Sequence, residues 1–143
     1  MRTRSGAQWT MKMSGKIAGD GPVAARSFRE LIVWQRGIEL ATAIYLLTRD
    51  FPREETYGLT GQLRRSAVSV PSNIAEGQGR LTTGEFRHFL GVARGSNCEL
   101  QTQLEIARAL KLVDAERIEH AEGLSNEIGK MISSILAATK TDH

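Results

Sequence analysis

Cysteine is almost missing from this chain: of 143 residues, only Cys98 carries a thiol. A single thiol excludes an internal disulfide and a thiolate zinc cage, and it fits a reducing compartment, so the chain reads as cytoplasmic. No apolar run is long enough to span a bilayer, and the N-terminus lacks the apolar core of a secretion signal, so no membrane partner is expected. Strand patterns are missing too, because Val68-Ser-Val-Pro71 is short and interrupted by proline. Gly77-Gln-Gly-Arg80 has neither the full glycine fingerprint nor a preceding strand, which replaces a dinucleotide loop with a helix end and turn. Glu-x-x-His occurs once, from Glu85 to His88, whereas a carboxylate di-metal bundle needs two copies and two further inward glutamates. His120 and His143 supply no second site. Cys98 has no histidine placed beside it by local sequence and falls in mid-helix, where a small buried thiol is expected. The chain therefore reads as non-enzymatic, with no metal and no cofactor.

What is present is helical periodicity. Residues 1–26 show none, and their Gly19-Asp-Gly-Pro22 turn signature predicts a disordered tail. From Ser27 the chain reads Phe28, Leu31, Trp34, Ile38, Ala41, Tyr45 and Thr48 at helical spacing, with Leu40, Ile44 and Leu47 widening the stripe. Ser27 and Glu30 have the spacing of a capping box, and Phe51-Pro52 ends this first helix. The second, around which the chain is organised, runs from Leu59 with Leu63, Ala67, Val70 and Ile74 on one face. Pro71 lies inside it, removing one backbone hydrogen bond and crowding the Ala67 carbonyl. Ser66, Ser69, Ser72 and Asn73 surround the break with short polar side chains, so the expectation is a helix kinked near Pro71 but continuous.

Thr82 or Thr83 can cap a third helix, lined by Phe86, Phe89, Leu90, Ala93, Asn97, Leu100, Leu104, Ala107 and Leu110. Gly91 and Gly95 sit inside it, each at a cost of about 1 kcal/mol relative to alanine, which calls for either a close helix approach or room for a bulky side chain there. Asp114 opens a fourth helix that carries Ile118, Ala121, Leu124, Ile128, Met131, Ile132, Ile135 and Leu136. Four amphipathic helices with short links predict an all-α fold: an up-down-up-down antiparallel four-helix bundle over residues 27–140.

The net charge of +3 is unevenly spread. Residues 1–26 hold five basic residues against Asp20, residues 60–111 seven basic against four acidic, and residues 112–143 three against six. The bundle is polarised rather than basic, which suits either an anionic partner or the packing of unlike subunit faces.

Two groups of side chains are candidates for function. Arg64, Arg65, Arg80, Arg87, Arg94, Arg108 and Lys111 can form a phosphate-binding surface on the second and third helices, with Arg64 and Arg65, and Arg80 and Arg87, as its core. Gln62, Asn73, Glu76, Arg94, Ser96, Asn97 and Glu99 lie close to apolar stripes. For these a structural polar network is expected, with Arg94 paired to Glu76 or Glu99, and a ligand or inter-subunit site is the rival reading.

Several stretches carry a resemblance: residues 28–35 (Phe-Arg-Glu-Leu-Ile-Val-Trp-Gln), Phe51-Pro52, Tyr57 to Gly77 with its Ser-Val-Pro-Ser-Asn-Ile-Ala-Glu-Gly block, Glu85-Phe86, and Ala93-Arg-Gly-Ser96 with Glu99-Leu100. Over about residues 27–138 the chain resembles the four-helix-bundle proteins encoded in intervening sequences of bacterial large-subunit rRNA genes. The resemblance implies a homopentameric ring without established enzymatic activity. It also implies a distant relationship to the accessory protein of diversity-generating retroelements, which binds a reverse transcriptase and nucleic acid through a basic surface. The expected function is thus a homo-oligomeric bundle that binds RNA, DNA or a nucleic-acid enzyme through a multivalent basic surface. The alternative is a protein-interaction scaffold with no nucleic-acid affinity, whose arginines serve only salt bridges.

Overall fold

The structure, a computed structural model, describes residues 27–140. The expectation of a disordered tail over residues 1–26 lies outside the described residues. Those described form four α-helices and no strand: α1 (Ile32–Thr48), α2 (Leu59–Gln78), α3 (Thr83–Ala109) and α4 (Ala115–Ala138). Short 3-10 turns at Phe28–Glu30 and Arg53–Glu55 precede α1 and α2.

Each helix packs on its two neighbours in the order α1, α2, α3, α4 and back to α1. Between α1 and α2, Gly37 meets Pro71 and Thr48 meets Arg64. Between α2 and α3, Gly77 meets Phe86 and Ser66 meets Gln103. Between α3 and α4, Arg87 meets Thr139 and Arg108 meets Glu122; between α4 and α1, Glu127 meets Arg36 and Arg117 meets Asp50. At every interface residue numbers rise on one helix as they fall on the other, so neighbouring helices run in opposite directions. The core that joins them includes Leu40, Leu63, Ile74, Phe86, Leu100, Ile128 and Ile132, all sealed from solvent.

The first helix differs from its expected start and its expected face. Ser27 Oγ accepts the Arg29 N–H at 3.1 Å and so caps the 3-10 turn, while Leu31 adopts an extended conformation (φ −77°, ψ 124°) that separates this turn from α1. Leu31 is buried. On α1 itself Val33, Leu40, Ile44 and Leu47 are buried, whereas Ile38 and Tyr45 are 41% and 45% exposed. The residues that widened the stripe are the core, and part of the stripe faces outwards.

The second helix runs without interruption from Leu59 through Pro71 to Gln78. Glu55 Oε1 accepts the Leu59 N–H at 3.2 Å, placing a carboxylate at the positive end of the helix dipole. The serines near Pro71 bridge helices rather than repair the backbone: Ser66 donates to Gln103 at 3.0 Å and Ser69 bonds Ser96 at 2.7 Å. The third helix is capped by Thr82, whose Oγ1 accepts the Glu85 N–H at 3.1 Å. Gly91 and Gly95 have no atom within 4 Å of an added Cβ, so neither mediates a close approach within the chain. The close approaches are at Gly37 and Gly77 instead; a Cβ on Gly77 would lie 3.0 Å from Phe89 Cβ. Cys98 is exposed, contrary to the buried thiol expected at mid-helix, because its position falls outside the Ala93, Asn97, Leu100, Leu104 stripe.

Candidate functional site

The seven cations expected to hold phosphate do not form one patch. Because α2 and α3 are antiparallel, Arg64, Arg65, Arg108 and Lys111 lie towards one end of the bundle, and Arg80 and Arg87 towards the other. Thirteen residues at 1.5 Å rise separate Arg65 from Gln78, the last residue of α2, about 20 Å along the axis, and Arg80 lies beyond that end.

Four of the seven already have partners. Arg64 stacks 4.5 Å above the Tyr45 ring and donates through Nε to Thr48 Oγ1 at 2.8 Å, tying α2 to the end of α1. Arg80 pairs with Glu76 at 2.6 Å and lies 4.8 Å above the Phe89 ring. Arg87 donates to the Leu136 carbonyl and to Thr139 Oγ1, closing the C-terminus of α4. Arg108 is held by Glu122 through both terminal nitrogens and by Glu105. The Glu122 hydrogen bonds, followed by the attraction of both carboxylates, outweigh desolvation and raise the Arg108 pKa. Arg65 and Lys111 make no ion pair among the described residues.

The polar residues divide differently from the network expected. Glu76 pairs with Arg80 rather than Arg94, and Arg94 is exposed without an ion pair among the described residues. Asn73 turns back on its own helix, donating to the Ser69 carbonyl at 2.8 Å and hydroxyl at 2.9 Å. Gln62, Glu99 and Ser96 line a groove at the α2/α3 seam with Arg65, Ser66 and Gln103. Asn97 makes a reciprocal pair with α4: it donates to the Ser125 carbonyl at 2.9 Å and accepts from Ser125 Oγ at 2.7 Å.

An ion cluster not expected from the sequence is centred on Arg36, which is only 6% exposed. It donates through Nε to Glu127 at 3.0 Å and through Nη1 to Glu39. Burial alone would lower its pKa, but the hydrogen bonds and charges of Glu39 and Glu127 outweigh this and raise it. Its position, three residues after Val33 and four before Leu40, was the available signal: it falls on the buried side of α1. Among the described residues no three of His, Cys, Asp and Glu are gathered so as to hold a metal ion. His88 instead packs edge-on against Phe89, with ring centres 5.1 Å apart.

Residues 29–134 match the family described as 23S rRNA-intervening sequence protein. The chain belongs to that family. One solved structure is similar to the chain: a protein of unknown function from the S23 ribosomal protein family of Bacteroides thetaiotaomicron, 25% identical, with a TM-score of 0.70. The match covers 74% of this chain and 96% of that one. No curated protein matches the chain. For this family member, the residues that set the bundle's geometry and those proposed to contact nucleic acid overlap: Arg64, Arg80, Arg87 and Arg108 are structural in the isolated chain.

Proposed function

We propose that this family member is a non-enzymatic, homo-oligomeric helical module that acts in the cytoplasm as a protein-interaction scaffold. The observation that carries this reading is the outward apolar face of α1. Ile38 and Tyr45 are exposed, Trp34 and Ala41 beside them are half-buried against the core, and the Gly37–Pro71 and Thr48–Arg64 contacts bring Val68 of α2, 42% exposed, to the level of Ala41. A core of Val33, Leu40, Ile44 and Leu47 already satisfies the bundle, so this second apolar surface suits another subunit. The homopentameric ring implied by the family resemblance is the assembly it would serve.

Arg65 and Lys111 favour a second reading, in which the assembled ring also binds RNA or DNA. Neither has an acidic partner among the described residues, and a ring would repeat both cations once per subunit. The occupied state of Arg64, Arg80, Arg87 and Arg108 is why the scaffold takes precedence.

The test is the solution mass of the full chain, recorded with its binding to structured RNA and to single- and double-stranded DNA across a salt series. An oligomer that the pair Ile38→Asp and Val68→Asp reduces to the 15.7 kDa monomer supports the assembly. A monomeric wild-type chain overturns it. Salt-sensitive binding by the oligomer, weakened by Arg65→Gln, would move nucleic-acid binding to first place.

A further inference from the structure

A groove of about 600 Å³ runs along the outer seam of α3 and α4. Its walls are Arg94, Asn97, Cys98 and Gln101 from α3 and Asn126, Gly129, Lys130, Ser133 and Ser134 from α4. The helices are in register here: Gln101 donates to Asn126 at 3.2 Å, and a Cβ on Gly129 would lie 3.5 Å from Asn97 Nδ2. One turn further along, the same antiparallel register brings Arg94 of α3 to the level of Lys130 and Ser133 of α4.

The chemistry of this lining is one-sided. It contains two cations and no carboxylate, and neither Arg94 nor Lys130 has an ion pair among the described residues. That contrasts with Arg36, Arg80 and Arg108, each of which is matched by glutamate. The Ser133 and Ser134 hydroxyls and the Asn126 amide nitrogen also donate to nothing within the described chain, because Asn126 uses only its Oδ1, as an acceptor from Gln101. Two like charges facing one another across a seam repel, and an anion between them relieves that repulsion. A guanidinium, an ammonium, two hydroxyls and an amide offer more donors than a carboxylate has oxygen sites to accept them; a phosphate group, with three or more strongly accepting oxygens, matches them better.

From this we infer that the α3/α4 groove binds a phosphate-bearing anion, with Arg94 and Lys130 as its charge clamp and Ser133 and Ser134 as further donors. The site is separate from the outer α1/α2 face on which the assembly reading rests, and of the seven cations first expected to hold phosphate it contains only Arg94. Gly129 keeps the floor low, and Cys98 stands in the wall as an exposed thiol.

Because Cys98 is the chain's one thiol, it reports on occupancy. The experiment is the rate of Cys98 alkylation by iodoacetamide in the full chain, titrated with inorganic phosphate and with pyrophosphate, against chloride at equal ionic strength and pH. Saturable slowing by the phosphates but not by chloride is expected. Arg94→Gln and Lys130→Gln should each raise the half-saturating concentration about tenfold, the scale of one charge-assisted hydrogen bond removed. Arg65→Gln should leave it unchanged. Slowing that tracks ionic strength whatever the anion, or that persists unaltered in both groove variants, overturns the site. Helical circular dichroism and solution mass of each variant separate loss of the site from loss of fold or assembly. Two further arms identify the source: a short single-stranded oligonucleotide protecting at far lower phosphate concentration than a nucleoside monophosphate assigns the groove to a nucleic-acid backbone, and equal protection assigns it to a small phosphorylated ligand.

Discussion

Gly37 of α1 lies directly against the Pro71 ring of α2: a Cβ placed on Gly37 would lie 3.1 Å from Pro71 Cβ and 3.4 Å from its Cα. The proline that removes a hydrogen bond from α2 is therefore also the surface on which α1 rests, and the absence of a side chain at position 37 lets the helices close over it.

Two kinds of glycine substitution should move stability in opposite directions. At Gly37, alanine gains about 1 kcal/mol of helix propensity but drives a methyl into a rigid, buried ring, and overpacking costs about 1–3 kcal/mol. The expected result for Gly37→Ala is a net destabilisation of about 1 kcal/mol. At Gly91 and Gly95 an added methyl meets nothing within 4 Å, so the propensity gain of about 1 kcal/mol each stands unopposed in the isolated chain. Urea denaturation of the three variants checks this. A stabilised Gly37→Ala would show that α1 and α2 separate easily at this point.

The Arg36 cluster should depend unequally on its two acids. Glu127 is 30% exposed and reaches Arg36 across the α1/α4 interface, whereas Glu39 is half exposed and lies one turn away on the same helix. Removing one partner of a buried ion leaves charge uncompensated, but both glutamates keep contact with water, which discounts the penalty. Glu127→Ala is expected to cost about 1–2 kcal/mol and Glu39→Ala under about 1 kcal/mol, with a double-mutant cycle against Arg36→Met isolating the pair terms. The Arg36 pKa is raised in the folded chain, so its own contribution is fully present below the unfolded value and is lost only as pH rises through the folded one. Unfolding measured between about pH 6 and 9 should show no titration from this guanidinium.

Arg87 and Arg65 should separate stability from binding. Arg87 spans from the first turns of α3 to the last carbonyl groups of α4, and cations there are favoured by the helix dipole as well as by hydrogen bonding. Arg87→Ala is expected to lower stability by about 1–2 kcal/mol, the scale of a charge-assisted hydrogen bond, and to leave the salt dependence of any nucleic-acid binding unchanged. Arg65→Ala should leave stability within about 0.5 kcal/mol of wild type. If the assembly binds nucleic acid, Arg65→Ala should also reduce the slope of log affinity against log salt, by about 0.7–0.9 for each phosphate that the side chain neutralises in the wild type. The reverse assignment of the two effects would show that Arg87 is released from α4 when a ligand binds.

The helices were legible in the sequence because apolar spacing, Thr82 and Asp114 all mark them locally. The face that α1 buries was not, because it carries two overlapping stripes. Trp34, Ile38, Ala41 and Tyr45 have the same helical period as Val33, Leu40, Ile44 and Leu47, and the contact of Gly37 with Pro71 goes with the second set turning inwards while Ile38 and Tyr45 stay exposed. Charge was still harder to read. Whether Arg94 or Arg108 has a glutamate partner depends on the register between antiparallel helices, which brings Glu122 to Arg108 but no acid to Arg94. Periodicity within one helix carries no information about that register.

Lys111 offers the simplest gain in stability. It follows the C-terminus of α3 with φ 55°, the single non-glycine residue at positive φ among those described. Its N–H bonds the Arg108 carbonyl at 3.0 Å while the Leu112 N–H reaches back to Ala107 at 3.1 Å, the paired bonds of a helix-ending turn in which glycine is the preferred residue. A side chain held in the left-handed region costs about 1–2 kcal/mol, partly offset in Lys111→Gly by the greater freedom glycine gives the unfolded chain. Lys111→Gly should therefore raise stability by about 0.5–1 kcal/mol, read as a higher urea midpoint at unchanged slope. The same variant removes a cation that has no acidic partner among the described residues and that the second reading places against nucleic acid. Stabilisation together with weaker nucleic-acid binding would place Lys111 on a binding surface, whereas stabilisation alone would mark it as a turn residue whose charge has no partner.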